Sequence, residues 1–300
     1  MRVFLTGATG FIGSRIVPEL LAVGHQVVGM TRSDVGAKSL VSAGAIPHHA
    51  TLEDLASIMA GAADADAVIH TAFDHDFSNF AANCEKDRRV IEALGSVLKG
   101  SDRPLLITSG TGMGDAGDGR PASEDVFNPH HPIPRIASEL AAQELLNDGV
   151  NISVMRLPQV HDTVRQGLIT PYIQISLQKG TVAYIGEGLN RWPAAHVLDV
   201  AKLYALAFNQ GEPGARYHAV AEEGITARRI AEVIGAGLEL PAISLQAEDV
   251  PDHFGWFSTL AGIDMPASSA LTRTKLRWEP TGPDLITDLK NMEYRSIQGR

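Results

Sequence analysis

The stretch VFLTGATGFIG, residues 3–13, constrains the fold of this chain more than any other. An apolar run over 3–6 stops at Gly7, and residues 12–23, IGSRIVPELLAV, then carry helical periodicity. A short apolar run ended by glycine reads as a buried parallel strand. Gly7, Gly10 and Gly13 give a G-x-x-G-x-x-G spacing between that strand and the helix. The context calls for a tight reversal, backbone N–H groups open to a pyrophosphate, and a helix packed close to the sheet. A pyrophosphate placed there also lies at the positive end of the helix dipole. The motif therefore predicts a dinucleotide site; the alternative is a turn with a purely structural use.

The rest of the chain repeats the strand-then-helix pattern. HQVVGMTR, DAVIHTAF, RPLLITSG and NISVMRLP read as further strands. LEDLASIMAG and the segments 83–99 and 135–148 read as helices, and a polar loop fills 110–134. Strands alternating with helices at this spacing predict an α/β fold, a Rossmann-type doubly wound parallel sheet. Beyond 160 the pattern is less regular. HVLDVAKLYALAFN is an amphipathic helix, ARYHAVA a strand, and TARRIAEVIGAGL a helix with Thr226 as its N-cap. The expected division is a nucleotide-binding domain of 1–161 plus 196–220 and a smaller substrate lobe of 162–195 plus 221–300.

A length of 300 residues suits one large domain or a large and a small one. The net charge of -10 argues against nucleic acid and anionic membrane as partners. No stretch reaches the roughly 18 apolar residues of a membrane span. Cys84 is the single cysteine, so no internal disulfide is possible; it reads as a buried small hydrophobe in a protein of the reducing cytoplasm. The expected partner is a small-molecule substrate.

The end of the second strand bears on which dinucleotide is bound. An acidic residue there holds the adenosine ribose in NAD-specific folds. Here the turn is Thr31-Arg32-Ser33, and Asp34 comes one or two positions late. Arg32 offers a planar fork matched to a 2′-phosphate, so NADP(H) is favoured over NAD(H).

In their order along the chain, TGATGFIG, DADAVIHTA, LLITSG, MRLPQVHD, HVLDVAKLY and LRWEP resemble the short-chain dehydrogenase/reductase superfamily, in its extended, epimerase/dehydratase-like form. The last element carries Arg277 where that family has glycine. The resemblance implies a cofactor held by Gly7, Thr9, Gly10, Phe11, Ile12 and Gly13, by Thr31, Arg32 and Ser33, by His70, Thr71 and Ala72, and by Leu157 and Pro158. It also implies a homodimer paired through the helices near 83–99 and 135–148, where ELAAQELL supplies small and apolar residues.

The family's catalytic tetrad is asparagine, serine, tyrosine and lysine, and the chain departs from it. The resemblance places the serine at Ser109 and the asparagine at Asp87. The tyrosine position holds Arg135 and the lysine position Glu139, in PRIASELAAQ. No tyrosine in the chain has a lysine four positions later, so a shift of register does not restore the pair. Arginine is no acid or base near neutrality, but it stabilises an oxyanion or anchors an anionic substrate. Glu139 has acceptors for ribose hydroxyls. For the missing proton donor His131 is the first choice and His75, flanked by Asp74 and Asp76, the second; His130 and His161 also fall near strand or loop ends. The HH and DHD clusters lack the spacing of a metal site, and no metal is expected.

Two functional classes follow. One is an NADP(H)-dependent oxidoreductase acting on a small carbonyl or hydroxyl compound, a nucleotide-sugar epimerase or dehydratase being the less favoured variant. The other is a cofactor-binding sensor that has lost catalysis. Ser109 speaks for the first, Arg135 and Glu139 for the second.

Overall fold

The computed structural model describes residues 1–294. In chain order it runs β1 (Arg2–Thr6), α1 (Gly13–Ala22), β2 (Gln26–Thr31), α2 (Asp34–Ser42), β3 (Ile46–His49), α3 (Leu55–Ala63), β4 (Ala67–His70), α4 (Phe80–Leu98), β5 (Leu105–Gly110), α5 (Ile136–Asn147) and β6 (Ile152–Leu157). There follow β7 (Gln159–His161), α6 (Ile169–Lys179), β8 (Val182–Ile185), β9 (Arg191–His196), α7 (Val197–Gln210), β10 (Arg216–His218), β11 (Glu222–Thr226), α8 (Ala227–Leu238) and β12 (Ala242–Leu245). Four short helices end the described chain: α9 (Val250–Phe254), α10 (Ser258–Gly262), α11 (Ala270–Leu276) and α12 (Leu285–Lys290).

The main sheet has seven strands in the order β3-β2-β1-β4-β5-β6-β10, with every neighbouring pair parallel. It is the expected Rossmann-type α/β arrangement. The central strands β1, β2, β4 and β5 are largely buried on both faces, which is why they read as apolar runs, while the edge strand β3 is half-exposed. Val3, Leu5, Ile69 and Leu106 face one core with α1 and α7. Phe4, Val68, Leu105 and Ile107 face the other with α3, α4 and α5. The chain leaves β1 outward to β2 and β3, then crosses back to β4 on the other side. That reversal opens a crevice at the carboxyl ends of β1 and β4, where such sheets bind ligands.

A second core, with Tyr172, Trp192, Phe254 and Phe257, is built by α6, α8, α9, α10 and α12 with two small sheets, β11-β9-β7 and β12-β8. The sequence pattern did not show β8, β9 or β12. The expected division also needs correction. Leu276 and Trp278 are buried in the first core beside Ala201, Tyr204 and Tyr217, and Trp278 Nε1 donates to the carbonyl of Asp199 at 3.1 Å. Residues 270–278 therefore pack with the first domain, while β7 joins the small sheet. Residues 295–300 of the expected lobe lie outside the described residues. Thr226 occupies the N-cap of α8, but its side chain makes no capping bond.

The small residues of ELAAQELL do not face outward. Ala141, Ala142 and Leu145 are buried against the sheet and α4, where Gly95 leaves room for Leu145. On this flank Arg88 pairs with Glu92 at 2.8 Å and with Glu144 at 3.5 Å. These small residues are therefore spent within the chain and are not offered to a second copy. Cys84 is 1% exposed, and burial pushes its thiol up to about 11. No described helix is long and apolar enough to cross a membrane.

Candidate active site

The glycine turn has the geometry that a pyrophosphate needs. Gly7 has φ +68°, and a Cβ there would lie 2.7 Å from Thr71 Oγ1 and 2.8 Å from the Ala72 nitrogen. A Cβ on Gly13 would collide with the Gly7 carbonyl oxygen, so α1 can start this close to β1 only with glycine. The backbone N–H groups of Phe11, Ile12 and Gly13 bond to no other described residue, and the first turn of α1 has no acidic side chain. Three open donors at a helix N-terminus suit an anion. Thr9 belongs to the same turn; its methyl group lies near Gly36 at the start of α2.

At the end of β2 the three expected residues divide. Arg32 is exposed and makes no ion pair among the described residues. Ser33 caps α2 by accepting from the Gly36 N–H at 3.1 Å. Thr31 is 2% exposed, and its hydroxyl donates to the Ser33 carbonyl at 3.3 Å. Thr31 thus shapes the turn, with its hydroxyl turned inward.

Beneath the crevice a buried polar chain links β1, β4, α4 and α5. Thr6 Oγ1 lies 2.6 Å from His70 Nδ1 and accepts from the Thr71 and Ala72 N–H groups at 3.2 Å. His70 Nε2 lies 3.0 Å from Asp87 Oδ1. An ionised carboxylate only accepts, so Nε2 carries a proton here. Asp87 Oδ2 accepts from Arg135 Nη1 at 2.5 Å and from the Ser138 hydroxyl at 2.6 Å. Burial opposes ionisation of Asp87, but the Arg135 charge and the bonds from His70 and Ser138 outweigh it and hold the carboxyl well below its ordinary range. His70, expected beside the cofactor, is 1% exposed and acts from beneath.

Arg135 is therefore largely committed. Its Nη2 donates to the Thr108 carbonyl at 2.8 Å, and the Phe73 ring covers it at 4.2 Å. Its side chain is 13% exposed. The expected free fork for an anionic substrate is not there; the guanidinium neutralises Asp87 and pins the end of β5.

Glu139 departs furthest from expectation. It is fully buried, and Arg156 binds it with two bonds, Nε at 2.8 Å and Nη2 at 2.7 Å. Arg216 Nε adds a third at 3.1 Å. Arg156 further donates to the carbonyls of Ser123 and Val126, tying the loop after β5 to β6. Burial and the Arg156 charge push His218, 3.2 Å from Arg156 Nη1, down to about 3. Both Glu139 oxygens being used inside the protein, none is left for a ribose.

Ser109 remains. Alternation along β5 turns the Thr108 hydroxyl to Tyr204 at 2.6 Å and sends Ser109 to the opposite face, that of Ile107 and α5. Ser109 Oγ is 3% exposed by residue and has no hydrogen-bond partner. A buried hydroxyl left so costs about 1–3 kcal/mol unless something at the crevice completes it. Leu157, opposite Gly110 in the β5–β6 register, and Pro158 flank the same strand ends.

The candidate proton carriers separate too. His130 is exposed, and His131 Nδ1 accepts from the Ile133 N–H at 3.3 Å within its own loop. His161 is fully buried 2.7 Å from Asp288 in the second lobe. His75 packs edge-on against Phe73, the ring over Arg135. Tyr172, Tyr204, Tyr217 and Tyr294 are buried with their hydroxyls bonded, and Arg228 lies over the ring of Tyr184, so no tyrosine takes the vacated role. Among the described residues no group of three His, Cys, Asp or Glu is placed to hold a metal.

Sequence reasoning missed Thr6, Ser138 and Arg156. Arg156 had a signal, a cation near the end of a largely apolar strand, which when buried requires an acid.

Comparison with known proteins agrees with this architecture. The family model described as "NAD dependent epimerase/dehydratase family" matches residues 3–220. An uncharacterized protein of Schizosaccharomyces pombe is 45% identical over 295 residues, covering 98% of this chain and 100% of its own. One of Saccharomyces cerevisiae is 38% identical over 294 residues, covering 97% and 98%. Among solved structures, a dTDP-glucose 4,6-dehydratase of Streptomyces venezuelae with NAD bound superposes with TM-score 0.78 at 18% identity, covering 100% of this chain and 98% of its own.

Proposed function

The chain belongs to the NAD-dependent epimerase/dehydratase family, and from that premise we propose that it is an NADP(H)-dependent oxidoreductase acting on a small carbonyl or hydroxyl compound. The observation that carries the proposal is the unpartnered hydroxyl of Ser109 at the end of β5. When bound, the nicotinamide supplies or accepts the hydride. The open amides of Phe11, Ile12 and Gly13 hold the pyrophosphate. Ser109 donates its hydrogen to the substrate oxygen and stabilises the charge that develops there. Arg135, paired with Asp87 and bonded to the carbonyl of the preceding residue, holds the end of β5 and so the position of Ser109. His75 carries the proton, and Asp87 and His70 hold the strand ends beneath in one geometry.

The test is NADPH oxidation with a panel of aldehydes, ketones and keto acids. Ser109→Ala is expected to lower kcat about 10²–10³-fold with the fold intact by circular dichroism. His75 is exposed, and partial desolvation of its ring against the protein, then the Arg135 charge, lowers its pKa below 6.5 against a backbone bond to Phe73 that raises it. Protonated His75 is the donor, so reduction should climb as pH falls toward that lowered value and decline above it. Failure of every compound to be turned over, with NADPH still bound, would leave the cofactor-binding, non-catalytic reading in its place.

The preference for NADP(H) rests on Arg32, exposed and unpaired beside the N-terminus of α2. NADPH is expected to bind more tightly than NADH by fluorescence titration, and Arg32→Ala to weaken NADPH about tenfold while leaving NADH unchanged. Equal affinities in the unmodified protein would overturn it. The same proposal places the enzyme in the reducing cytoplasm and, by family resemblance, as a dimer across the charged flank of α4 and α5.

A further inference from the structure

The loop between β4 and α4 is aromatic and is held by its own hydrogen bonds. Asp76 accepts from the Ser78 N–H at 3.0 Å and from Asn79 Nδ2 at 3.1 Å, and its carbonyl accepts from Asn83 Nδ2 at 2.8 Å. Lys86 donates to Asp74 at 2.8 Å. Held this way, the loop presents a file of rings. Phe73 meets Phe80 with centroids 6.2 Å apart, and Phe80 meets Phe77 at 5.7 Å. Phe77 then stacks on Trp256 of the second lobe at 5.0 Å and 7° between planes. Trp256 in turn meets Phe257, in the second core, edge-on at 5.4 Å.

The inner end of this file lies at the reacting strand. Phe73 covers Arg135, and Arg135 bonds the carbonyl of Thr108, the residue before Ser109. The wall therefore runs from Arg135, which holds the carbonyl before Ser109, to the rim of the second lobe at Trp256 and Phe257. Its chemistry is that of flat apolar faces. The cation in contact with it, Arg135, is occupied by Asp87, and the charges of its own loop are the acids Asp74 and Asp76. Such a wall attracts an aromatic ring, and it offers a diphosphate no unpaired arginine or lysine, since Arg135 is taken by Asp87 and Lys86 by Asp74.

We propose that the file Phe73–Phe80–Phe77–Trp256 is a substrate-binding wall that selects a flat, uncharged aromatic carbonyl compound and orients its carbonyl toward Ser109. The inference rests on the oxidoreductase reading and deepens it by naming the substrate class. It assigns Phe77 and Trp256, from different lobes, as specificity-determining residues.

Trp256 supplies its own reporter. The chain has three tryptophans; Trp192 and Trp278 are 4% and 2% exposed, and Trp256 is 47% exposed. Acetophenone, cyclohexanone and UDP-glucose would each be titrated with and without NADP+, following tryptophan emission. N-acetyltryptophanamide corrects for collisional quenching. Acetophenone is expected to give a saturable quench that Trp256→Phe removes and UDP-glucose does not reproduce. In the reductase assay Trp256→Ala should raise KM for acetophenone about tenfold and leave that for cyclohexanone within about twofold. Phe77→Leu, at a half-buried site, should act in the same direction.

Saturable binding of UDP-glucose with none of acetophenone would overturn the proposal. So would an unchanged KM for acetophenone in Trp256→Ala. Acetophenone binding at Trp256 with no NADPH oxidation would defeat the oxidoreductase reading and leave the wall standing. Equal kcat/KM for acetophenone and cyclohexanone would do the reverse.

Discussion

Arg135→Met is expected to lower the unfolding free energy by about 3–5 kcal/mol, read as a lower urea midpoint at unchanged slope. Among the described residues Arg135 is the one arginine or lysine bonded to Asp87, at 2.5 Å, and Asp87 is 1% exposed. Removing it leaves a buried carboxylate supported by His70 and Ser138 alone. Adding Asp87→Asn to the same variant should restore most of the loss, because an amide still accepts from His70 and the Ser138 hydroxyl can turn to accept from it. The pair also fixes a dependence on pH. The folded pKa of Asp87 is depressed from an ordinary 3.8, so its stabilisation is complete above that value and is lost as pH falls through the lower folded value. The doubly substituted protein should lack that part of the acid sensitivity.

Glu139→Lys is expected to fail more severely, by roughly 5 kcal/mol or more, seen as loss of soluble protein or of a cooperative thermal transition. On sequence grounds this change, with Arg135→Tyr, would rebuild the tyrosine–lysine pair of the family. In the structure it buries an ammonium against Arg156 and beside Arg216, where three bonds to a carboxylate now stand. Glu139→Gln keeps the shape and should cost about 3–5 kcal/mol by leaving Arg156 uncompensated. A stable Glu139→Lys protein would show that the buried cluster repacks, and the case for an altered site chemistry would weaken with it.

The two sites illustrate what a sequence carries locally and what it does not. The strand, turn and helix of residues 2–22 are legible because their signals lie within one window: an apolar run, three spaced glycines, a helical period. The identities at 135 and 139 are equally plain, but their direction is not. Arg135 finds its partner 48 positions away, and Glu139 finds partners 17 and 77 positions away. Glutamate is a surface residue by habit, so Glu139 reads as facing the crevice until Arg156 is placed beside it. The small sheets of the second lobe were hidden for another reason. VAYI and AISL, the strands β8 and β12, are four residues each, too short for period or burial to separate them from loop. The aromatic wall was visible in FDHDFSNF as composition only; the stacking partner lies in another lobe.

The path of residues 270–278 bears on where this polypeptide can be cut. The family match ends at 220, which invites treating what precedes it as a module. Yet the hydrophobic plug for α7 and β10 arrives later, in Leu276 and Trp278, after the chain has built most of the second lobe, with α12 still to follow. A fragment stopped at 220 would bare the flank of α7 that the indole covers, and the carbonyl of Asp199 would lose its donor. The nucleotide-binding half is thus not autonomous during synthesis: its last wall follows most of the second lobe along the chain, and completion of the first core must wait until residues 276–278 have emerged.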